Sequence, residues 1–459
     1  MSATLALAPT ARRGHGLMAV YGLLVLIVAS IFSAMDRQIL VLLGEPMRAS
    51  LGLSDTLLGL LQGVGVTLFA GLAAVPLGWL ADRHGRRQML AICVLVWAAS
   101  TAACGLSHSF TTLFISAVGL GIGEAGLAPI VYGLIPEIVP ARRRALANGV
   151  FALAAIFGAG VGIALSGALV DQLATLRPQL PVVLQSMESW RLAFLAVAAP
   201  GPLVAAAVLL MRRHPERADA NAESLPRDDE RTALAPFARA HGRTMAGLFI
   251  GSGLTGVGLA AAGNWAPIVA TRTFGAPAVE VGAGIGAAYL AGTAVGAVLG
   301  AGGVRVFGRR LGLATPLRVI AVGSLIAAAT SALMLWAPDA RTLYWLFGAQ
   351  VAALIAGSVL APTMLQDMSP APLRSRVIAI GSTFAIGMGA LSPVLVGALS
   401  DWMPAASRGL LTAMAGVGAV AFVAGALTIL ASEKHFVRTV RIVHPELDKK
   451  ASLPPRRKP

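Results

Sequence analysis

The chain has 459 residues, of which 56% are hydrophobic and 12% are charged, and its mean hydropathy is +0.77. Soluble domains carry about 25% charged residues, so this composition excludes a soluble globular protein and indicates a polytopic membrane protein. The net charge is +15, but the basic residues are distributed among short loops between apolar segments. That distribution predicts membrane topology, and it argues against a nucleic-acid-binding surface.

Twelve apolar segments are long enough to cross a bilayer, which requires about 20 helical residues. They lie near residues 17–44, 54–80, 88–107, 110–138, 144–172, 190–211, 244–271, 277–304, 314–336, 341–366, 375–400 and 407–431. The first segment continues too far to be a cleaved signal peptide. We therefore predict an all-α membrane protein with twelve transmembrane helices.

Internal similarity divides these helices into two pseudo-symmetric six-helix bundles. Residues 85–87 (Gly-Arg-Arg) recur at 308–310, and the pattern Gly-Ala-Leu-x-Asp at 167–171 recurs at 397–401, with offsets of 223 and 230 residues. Two matches at nearly one offset favour an internal duplication. The predicted domains are a first bundle at 1–211, a charged cytoplasmic linker at 212–243, a second bundle at 244–432, and a basic cytoplasmic tail at 433–459.

The distribution of arginine predicts the orientation, because cytoplasmic loops carry an excess of basic residues. Placing both termini in the cytoplasm of a cell-membrane protein puts most of the loop arginines inside. The predicted cytoplasmic set contains Arg12, Arg13, Arg83, Arg86, Arg87, Arg142, Arg143, Arg144, Arg212, Arg213, Arg305, Arg309, Arg310, Arg374 and Arg376. The basic tail either contacts anionic lipid headgroups or is simply solvated.

The stretch GWLADRHGRR, from Gly78 to Arg87, connects the second and third predicted helices. Its pattern G-x-L-x-D-R-x-G-R-R resembles the signature loop between helices 2 and 3 of the major facilitator superfamily of secondary transporters. An ordinary basic loop would explain the arginines but not the spacing of the glycines, the leucine and the aspartate. The resemblance implies a cytoplasmic gate that stabilises the state closed to the cytoplasm. Its residues are Gly78, Asp82, Arg83, Gly85, Arg86 and Arg87, joined by Arg142, Arg143 and Arg144.

Asp36 and Arg37 lie about 19 residues into the first predicted helix, with apolar sequence on both sides. A charged side chain at mid-membrane costs at least about 2.5 kcal/mol, so such residues usually line a polar cavity or pair with one another. Adjacent residues on a helix point about 100° apart and cannot form a good mutual bridge. We therefore expect a partner on another helix, unless the first helix ends near Ala34 and the pair lies at the outer interface.

Glu124, in the stretch GLGIGEAG, is a second acid deep within an apolar segment. Arg37 is the predicted partner of its carboxylate, and the neighbouring glycines permit close helix packing. We expect Asp36 and Glu124 to face a water-filled chamber shared by the first and fourth helices. The alternative is that Glu124 serves only to lock these two helices together through Arg37.

Three further stretches are SAMDRQILVLLGEPMRASLGLSDTLLGLLQG, GIGEAGLAPIVYGLIPEIVP and NWAPIVATRTFG. They resemble the Spinster-like branch of the superfamily, whose animal members move sphingosine-1-phosphate and lysophospholipids. The resemblance implies a proton-linked or facilitated carrier, working by alternating access, in which Asp36 titrates, Arg37 holds an anionic headgroup and Glu124 couples the two. Ala117 departs from the branch, which commonly has arginine there, and the change puts a two-arginine anion site in doubt.

The substrate implied by this branch is an amphipathic, anionic lipid, and the expected process is proton symport. Carriers of sugar acids and organic anions share the Asp-Arg pair and the Gly-Glu-Ala motif, so a small organic anion is the alternative substrate. Further substrate-binding candidates are Gln62, Tyr132, Asn264 and Trp265, although a helix-to-helix hydrogen bond explains each of them equally well.

The sequence contains no recognisable metal-ligand cluster, no nucleophile with an adjacent base and no appended catalytic domain. We therefore expect neither an enzyme nor a cofactor. The predicted partners are the substrate, protons and membrane lipids, and the predicted oligomeric state is a monomer.

Overall fold

A computed structural model describes residues 9–140, 143–211, 229–358, 360–370, 373–403 and 408–444. Within these ranges every regular element is a helix, and no strand occurs. The all-α prediction is therefore confirmed for the described part of the chain.

Twelve helices in the described ranges correspond to the twelve predicted spans. Their membrane-spanning parts are α1 (Met18–Leu42), α2 (Asp55–His84), α3 (Arg86–Leu106), α4 (Phe110–Ile138), α5 (Arg144–Gln179), α6 (Ser189–Leu209), α7 (Leu234–Phe274), α8 (Ala278–Gly303), α9 (Gly312–Trp336), α10 (Ala340–Ser358), α11 (Arg376–Trp402) and α12 (Gly409–Ala431). All except α10 are long and apolar enough to cross a membrane. The span predicted at 341–366 consists of α10 and a separate short helix, Ala361–Asp367.

The ends of the spans follow local sequence signals. Ser54 caps α2 by accepting a hydrogen bond from the Leu57 amide, and Ser109 with Thr112 forms a capping box at the start of α4. Gly85 has φ +98°, a left-handed value that favours glycine, and it alone separates α2 from α3. Gly85 thus provides the reversal of the chain within GWLADRHGRR, the stretch that connects the second and third predicted helices.

The two spans that pack beside Glu124 depart from regular α-helix. Residues Leu61–Leu68 of α2 form a π-helix, and α4 is interrupted at Gly126 between Phe110–Ala125 and Leu127–Ile138. π-helical segments occur frequently at functional sites. Both irregular segments lie near Glu124 in the fold.

The described residues group into two compact units. The first contains 1–223, 267–290 and 397–407, and the second contains 224–266, 291–396 and 408–459. The first unit thus holds α1 to α6 with the end of α7, the start of α8 and the end of α11. The predicted bundles, linker and tail follow the chain order and remain predictions, and residues 212–228 of the linker lie outside the described ranges.

In the first unit α1 packs closely on α5 because α5 presents glycine. A Cβ at Gly162 would lie 2.9 Å from the Ala34 carbonyl carbon and 3.0 Å from the Met35 nitrogen. Ser166 of α5 donates hydrogen bonds to the carbonyl oxygens of Gly162 and Met35. This contact fixes the segment of α1 that carries Asp36 and Arg37.

In the second unit α9 packs between α10 and α12, and a further helix, α13 (Glu433–Val443), follows α12. Phe436 and Val440 of α13 are buried in the core of this unit. The Thr439 hydroxyl hydrogen bonds Thr244, and Arg318 binds Glu433 through Nε and Nη2. The first part of the predicted tail is therefore a helix docked on the second unit, and residues 445–459 lie outside the described ranges.

The internal duplication is visible as a repeated turn. Arg144 Nε donates to the Val139 carbonyl and Arg374 Nε donates to the Ser369 carbonyl, each at 3.3 Å. The Arg143 and Leu373 amides donate to Pro140 and Pro370, each at 2.9 Å. The two turns precede α5 and α11 with the same offset of 230 residues as the Gly-Ala-Leu-x-Asp pattern.

The contact between α5 and α1 yields a stability prediction. We expect Gly162→Val to destabilise the protein by about 1–3 kcal/mol, because the new side chain would overlap the α1 backbone. Thermal unfolding of the purified protein in detergent measures the effect. Gly149→Val is the matched control, since no atom lies within 4 Å of a Cβ at Gly149 on the same helix. Equal changes in melting temperature for the two variants would contradict the packing argument.

Candidate functional site

An ion pair between α1 and α4 forms the centre of the candidate site. Arg37 donates from Nε and Nη2 to Oε2 of Glu124, at 3.0 and 2.7 Å. The Glu124 side chain is 0% exposed, whereas the Arg37 side chain is 53% exposed. The partnership predicted from the sequence is confirmed, and the pair joins a sealed carboxylate to an accessible guanidinium group.

The exposure of Arg37 indicates where water reaches this part of the protein. A guanidinium group facing hydrocarbon at this depth would be costly, so its exposed surface is expected to face an aqueous space. Its Nη1 donates no hydrogen bond to the described residues, which leaves two N–H donors on the exposed side. Arg37 can therefore compensate Glu124 and bind an anion at the same time.

Asp36 lies on the buried side of α1. It is 1% exposed, and its Oδ1 has no hydrogen-bond partner among the described residues. Its carboxyl group lies near Glu124 and within hydrogen-bonding reach of the Thr101 hydroxyl on α3. The expectation that Asp36 and Glu124 both line an open chamber is not met, because both are buried and Arg37 alone of these three is exposed.

Thr101 and Ser33 contribute to this cluster and were not singled out in the sequence. Thr101 Oγ1 donates to the Trp97 carbonyl at 2.9 Å, so its oxygen can accept a hydrogen bond from a protonated Asp36. Ser33 approaches the Glu124 carboxyl group. Serine and threonine are common in apolar helices, and no sequence signal distinguished these two.

The π-helical segment of α2 packs against α4 beside Glu124. A Cβ at Gly121 would overlap the Val66 carbonyl group, so the backbones of α2 and α4 are in direct contact. A Cβ at Gly65 would lie 3.5 Å from the Ala117 Cβ. Ala117 is fully buried in this contact, and an arginine there would require the two helices to separate.

The predicted substrate-binding residue Gln62 lies in the same π-helical segment. It is 2% exposed, and neither end of its side-chain amide has a hydrogen-bond partner among the described residues. A buried amide without a hydrogen-bond partner costs about 1–3 kcal/mol. Hydrogen bonds from Gln62 to a ligand would therefore be favourable.

The other predicted substrate-binding residues have different surroundings. Tyr132 on α4 is partly exposed and meets Phe151 of α5 edge-on, with ring centroids 5.4 Å apart. Asn264 and Trp265 belong to the second unit. Asn264 Nδ2 donates to the Ala260 carbonyl at 2.8 Å, and Trp265 is fully buried with its Nε1 unpaired among the described residues.

The predicted cytoplasmic gate residues make contacts within the first unit. Arg86 binds Asp82 through Nη2 and Glu137 through Nη1, and so ties together the ends of α2, α3 and α4. Arg87 donates to the Met211 carbonyl, and the Arg83 guanidinium lies 5.1 Å from the centre of the Trp79 ring. Arg86 therefore fastens the ends of α2, α3 and α4 to one another.

The remaining gate residues are Gly78 and the three arginines at positions 142–144. Gly78 of α2 lies against Pro129 of α4, where a Cβ would be 3.6 Å from the proline Cβ. Arg143 is exposed, Arg144 forms the turn before α5, and Arg142 lies outside the described residues. The role of the whole set as a gate remains a prediction.

Comparison with known proteins gives one family. The model of the Major Facilitator Superfamily matches residues 26–383. A probable L-galactonate transporter of Escherichia coli (strain K12) is 28% identical over 200 residues, covering 44% of this chain and 41% of that protein. A putative tartrate transporter of Agrobacterium vitis is 28% identical over 253 residues, covering 51% and 53%. The chain thus spans about half the length of these curated relatives.

Among solved structures, the chain is similar to a bacterial homologue of the human lysosomal transporter Spinster. The inward-facing, unoccupied form has a TM-score of 0.73 and 22% identity, covering 94% of this chain and 98% of that one. The occupied form has a TM-score of 0.70 and 23% identity, covering 92% and 97%. At this identity the likeness shows the fold alone.

The pair yields a prediction about stability. We expect Arg37→Ala to destabilise the protein by about 3 kcal/mol, since removal of one partner leaves a buried charge without compensation. The double variant Arg37→Ala with Glu124→Gln should recover most of this loss, because a neutral amide needs no cation. Thermal unfolding in detergent, with the Glu124→Gln single variant completing the cycle, measures the coupling. Additive effects of the two changes would show that the pair contributes nothing to stability.

Proposed function

The chain belongs to the Major Facilitator Superfamily, and from that membership we propose that it is a secondary transporter of a small organic anion, coupled to protons and working by alternating access. The superfamily consists of transporters, which agrees with the expectation that the chain is not an enzyme. The proposed substrate is a hydroxy-carboxylate of the size of a sugar acid.

The observation that carries this proposal is the unequal exposure of the central ion pair. Arg37 is half-exposed and keeps both Nη1 donors unused, whereas Glu124 is sealed behind it. A carboxylate is the natural ligand for such a group, because guanidinium binds planar carboxylates through two parallel hydrogen bonds.

The number of cations favours a carboxylate over a phosphate. Arg37 is the sole basic residue in α1 and α4, and Ala117 is closed off by α2, so no second arginine reaches the site from that position. One guanidinium group shared with Glu124 balances a single negative charge better than the larger charge of a phosphomonoester. A curated relative named as a transporter of L-galactonate, which has one carboxylate, is consistent with this substrate class.

Buried amide groups could recognise substrate hydroxyls. Gln62 lies on α2, in the π-helical segment that packs on α4 next to Glu124, and both ends of its amide are unpaired among the described residues. Because no described protein group uses the Gln62 amide, both of its ends are available to hydrogen bond a hydroxylated ligand. Such a group would select sugar acids over plain carboxylates.

Proton coupling follows from the charge balance at Arg37. The guanidinium group can hydrogen bond Glu124 and a substrate carboxylate together, but its one positive charge balances only one of them, so protonation of Glu124 strengthens binding of the substrate anion. Asp36 can also take up a proton, since its protonated form can donate to Thr101. Protons therefore favour the state that binds the anion, and this differential affinity is what shifts a conformational equilibrium.

A transport assay tests the substrate class. We expect proteoliposomes with an acidic exterior to take up galactonate, and Arg37→Ala to lower uptake at subsaturating substrate by at least about tenfold, because a hydrogen bond to a charged group contributes about 1.5–3 kcal/mol. Arg341→Ala is the matched control, since Arg341 is an exposed arginine at the start of α10.

The same assay distinguishes the alternative substrate. Uptake of lysophospholipid or sphingosine-1-phosphate without uptake of sugar acids would contradict the small organic anion as substrate. It would favour the lipid substrate that the Spinster-like resemblance implies. Unchanged uptake by Arg37→Ala would exclude Arg37 as the anion-binding group.

Proton coupling gives a separate prediction. We expect Asp36→Asn to retain substrate binding and to flatten the dependence of uptake on external pH, because asparagine keeps the hydrogen bond to Thr101 but cannot titrate. Uptake measured between pH 5 and pH 8, with Glu124→Gln in parallel, checks this result. An unaltered pH profile in both variants would remove these acids from the coupling mechanism.

A further inference from the structure

The exposed side of α12 changes from apolar to basic where the span ends. Only Ser432 separates α12 from α13, and the amides of Ser432 and Phe436 donate to the carbonyl groups of Thr428 and Ser432 in the helical pattern. Seven exposed residues follow one stripe along both helices, at intervals of three and four residues. They are Val420, Val423, Leu427, Leu430, Lys434, Arg438 and Arg441. The stripe is therefore apolar along the span and cationic immediately beyond it.

The opposite side of the same two helices is packed inside the second unit. Phe422 and Ile429 of α12 and Phe436 of α13 are buried there. An apolar stripe on a membrane span that points away from the core of its own unit contacts lipid acyl chains. Lys434 and Arg438 continue this stripe past the end of the span, so they lie at the depth of the lipid headgroups.

The cations on this stripe keep their charge available for a ligand. Lys434 and Arg438 form no hydrogen bond or ion pair with the described residues. The single acidic residue of α13, Glu433, is bound by Arg318 of α9 through Nε and Nη2. Arg86, by contrast, binds two carboxylates within the protein. The exposed face of α13 thus presents cations that no described carboxylate neutralises.

The start of α7 repeats the pattern beside this stripe. Ile250 is exposed within the span, and the exposed Arg243 and Arg239 continue its helical face seven and eleven residues earlier. The two helices are in close contact at this level, because a Cβ at Gly247 would overlap the Ser432 side chain. The change from apolar to basic therefore occurs at the same depth on α7 and on α12 with α13.

We propose that the basic face of α13, with Lys434 and Arg438 at its centre, is a binding surface for the headgroups of anionic phospholipids. Under the predicted orientation these lipids belong to the cytoplasmic leaflet, and Arg239 and Arg243 extend the surface along α7. This surface is independent of the transported substrate.

The order of chemical groups along the stripe favours a phospholipid as the occupant. A phospholipid places its anionic phosphate directly beyond its acyl chains, and the stripe places Lys434 and Arg438 directly beyond Leu427 and Leu430. An acidic protein segment would match the cations but would leave the exposed leucines without a partner. Clusters of basic residues immediately beyond a transmembrane helix are typical of binding to anionic lipids.

A fluorescent reporter in the apolar part of the stripe can detect local enrichment of anionic lipid. Leu427 is exposed and lies about two helical turns before Lys434. Leu427→Cys, labelled with bimane, is reconstituted into phosphatidylcholine nanodiscs that contain a small, equal fraction of either phosphatidylglycerol or phosphatidylcholine with a spin-labelled acyl chain. The spin label quenches bimane only at short range. Cys93 and Cys104 are buried, and protein without the reporter supplies the background.

We expect spin-labelled phosphatidylglycerol to quench the reporter more strongly than spin-labelled phosphatidylcholine. Lys434→Gln with Arg438→Gln should lower the local enrichment of phosphatidylglycerol by about fivefold for each cation removed. The matched control is Arg341→Gln with Arg408→Gln, which removes the same charge at the opposite end of the second unit. This control should leave the enrichment unchanged.

Equal quenching by the two spin-labelled lipids in the protein with all its cations would overturn the lipid-binding surface, and so would an unchanged preference in the double variant. Either result would assign the basic face to solvent or to an acidic protein segment. If the double variant fails to fold, Arg438→Gln alone provides the same test. Quenching requires no transport, so its outcome is separate from that of the galactonate uptake assay.

Discussion

The ion pair of Arg37 with Glu124 constrains the arrangement of α1 to α4. A carboxylate buried away from water cannot stay charged without a cation. Arg37 on α1 must therefore lie at the same depth in the membrane as Glu124. Glycine makes the burial of Glu124 possible. The α2 backbone packs directly against Gly121, and the α3 backbone at Trp97 packs directly against Gly123. The same close contacts that bury Glu124 leave one face of Arg37 open, and binding of an anion is proposed at that face.

Arginine binds carboxylates at three places in the first unit. Arg86 connects Asp82 to Glu137, Arg37 binds Glu124 beside Asp36, and Arg272 connects Glu45 to Asp55. The side-chain exposure of the three arginines is 27%, 53% and 25% in that order. Arg272 donates from all three of its nitrogens within the protein, and Arg86 binds two carboxylates, so both are suited to fastening helices. Arg37 binds one carboxylate, is the most exposed of the three and is suited to a ligand, as the planar guanidinium fork allows both uses.

Part of the site was predictable because the cost of charge in a membrane limits the options. Glu124 needs a cation, and Arg37 was the one available in α1 and α4, so their pairing followed from the sequence. The burial of Asp36 did not follow, because it depends on the rotation of α1 that Gly162 and Ser166 of α5 impose. Thr101 was missed for the same reason, since only that rotation brings its hydroxyl to Asp36.

The sequence by itself determined the all-helical membrane architecture, the approximate positions of the spans and the family. Each of these depends on a contiguous stretch of residues: an apolar segment long enough to cross the bilayer, or the GWLADRHGRR motif. Apart from the pairing of Arg37 with Glu124, only the tertiary structure decided which distant residues meet. Arg272 and Asp55 are 217 residues apart, and Thr56 and Asp401 are 345 apart. Spans rich in alanine, glycine and leucine carry little pattern that marks their inner face, so the contacts between them arise from the packing of whole helices.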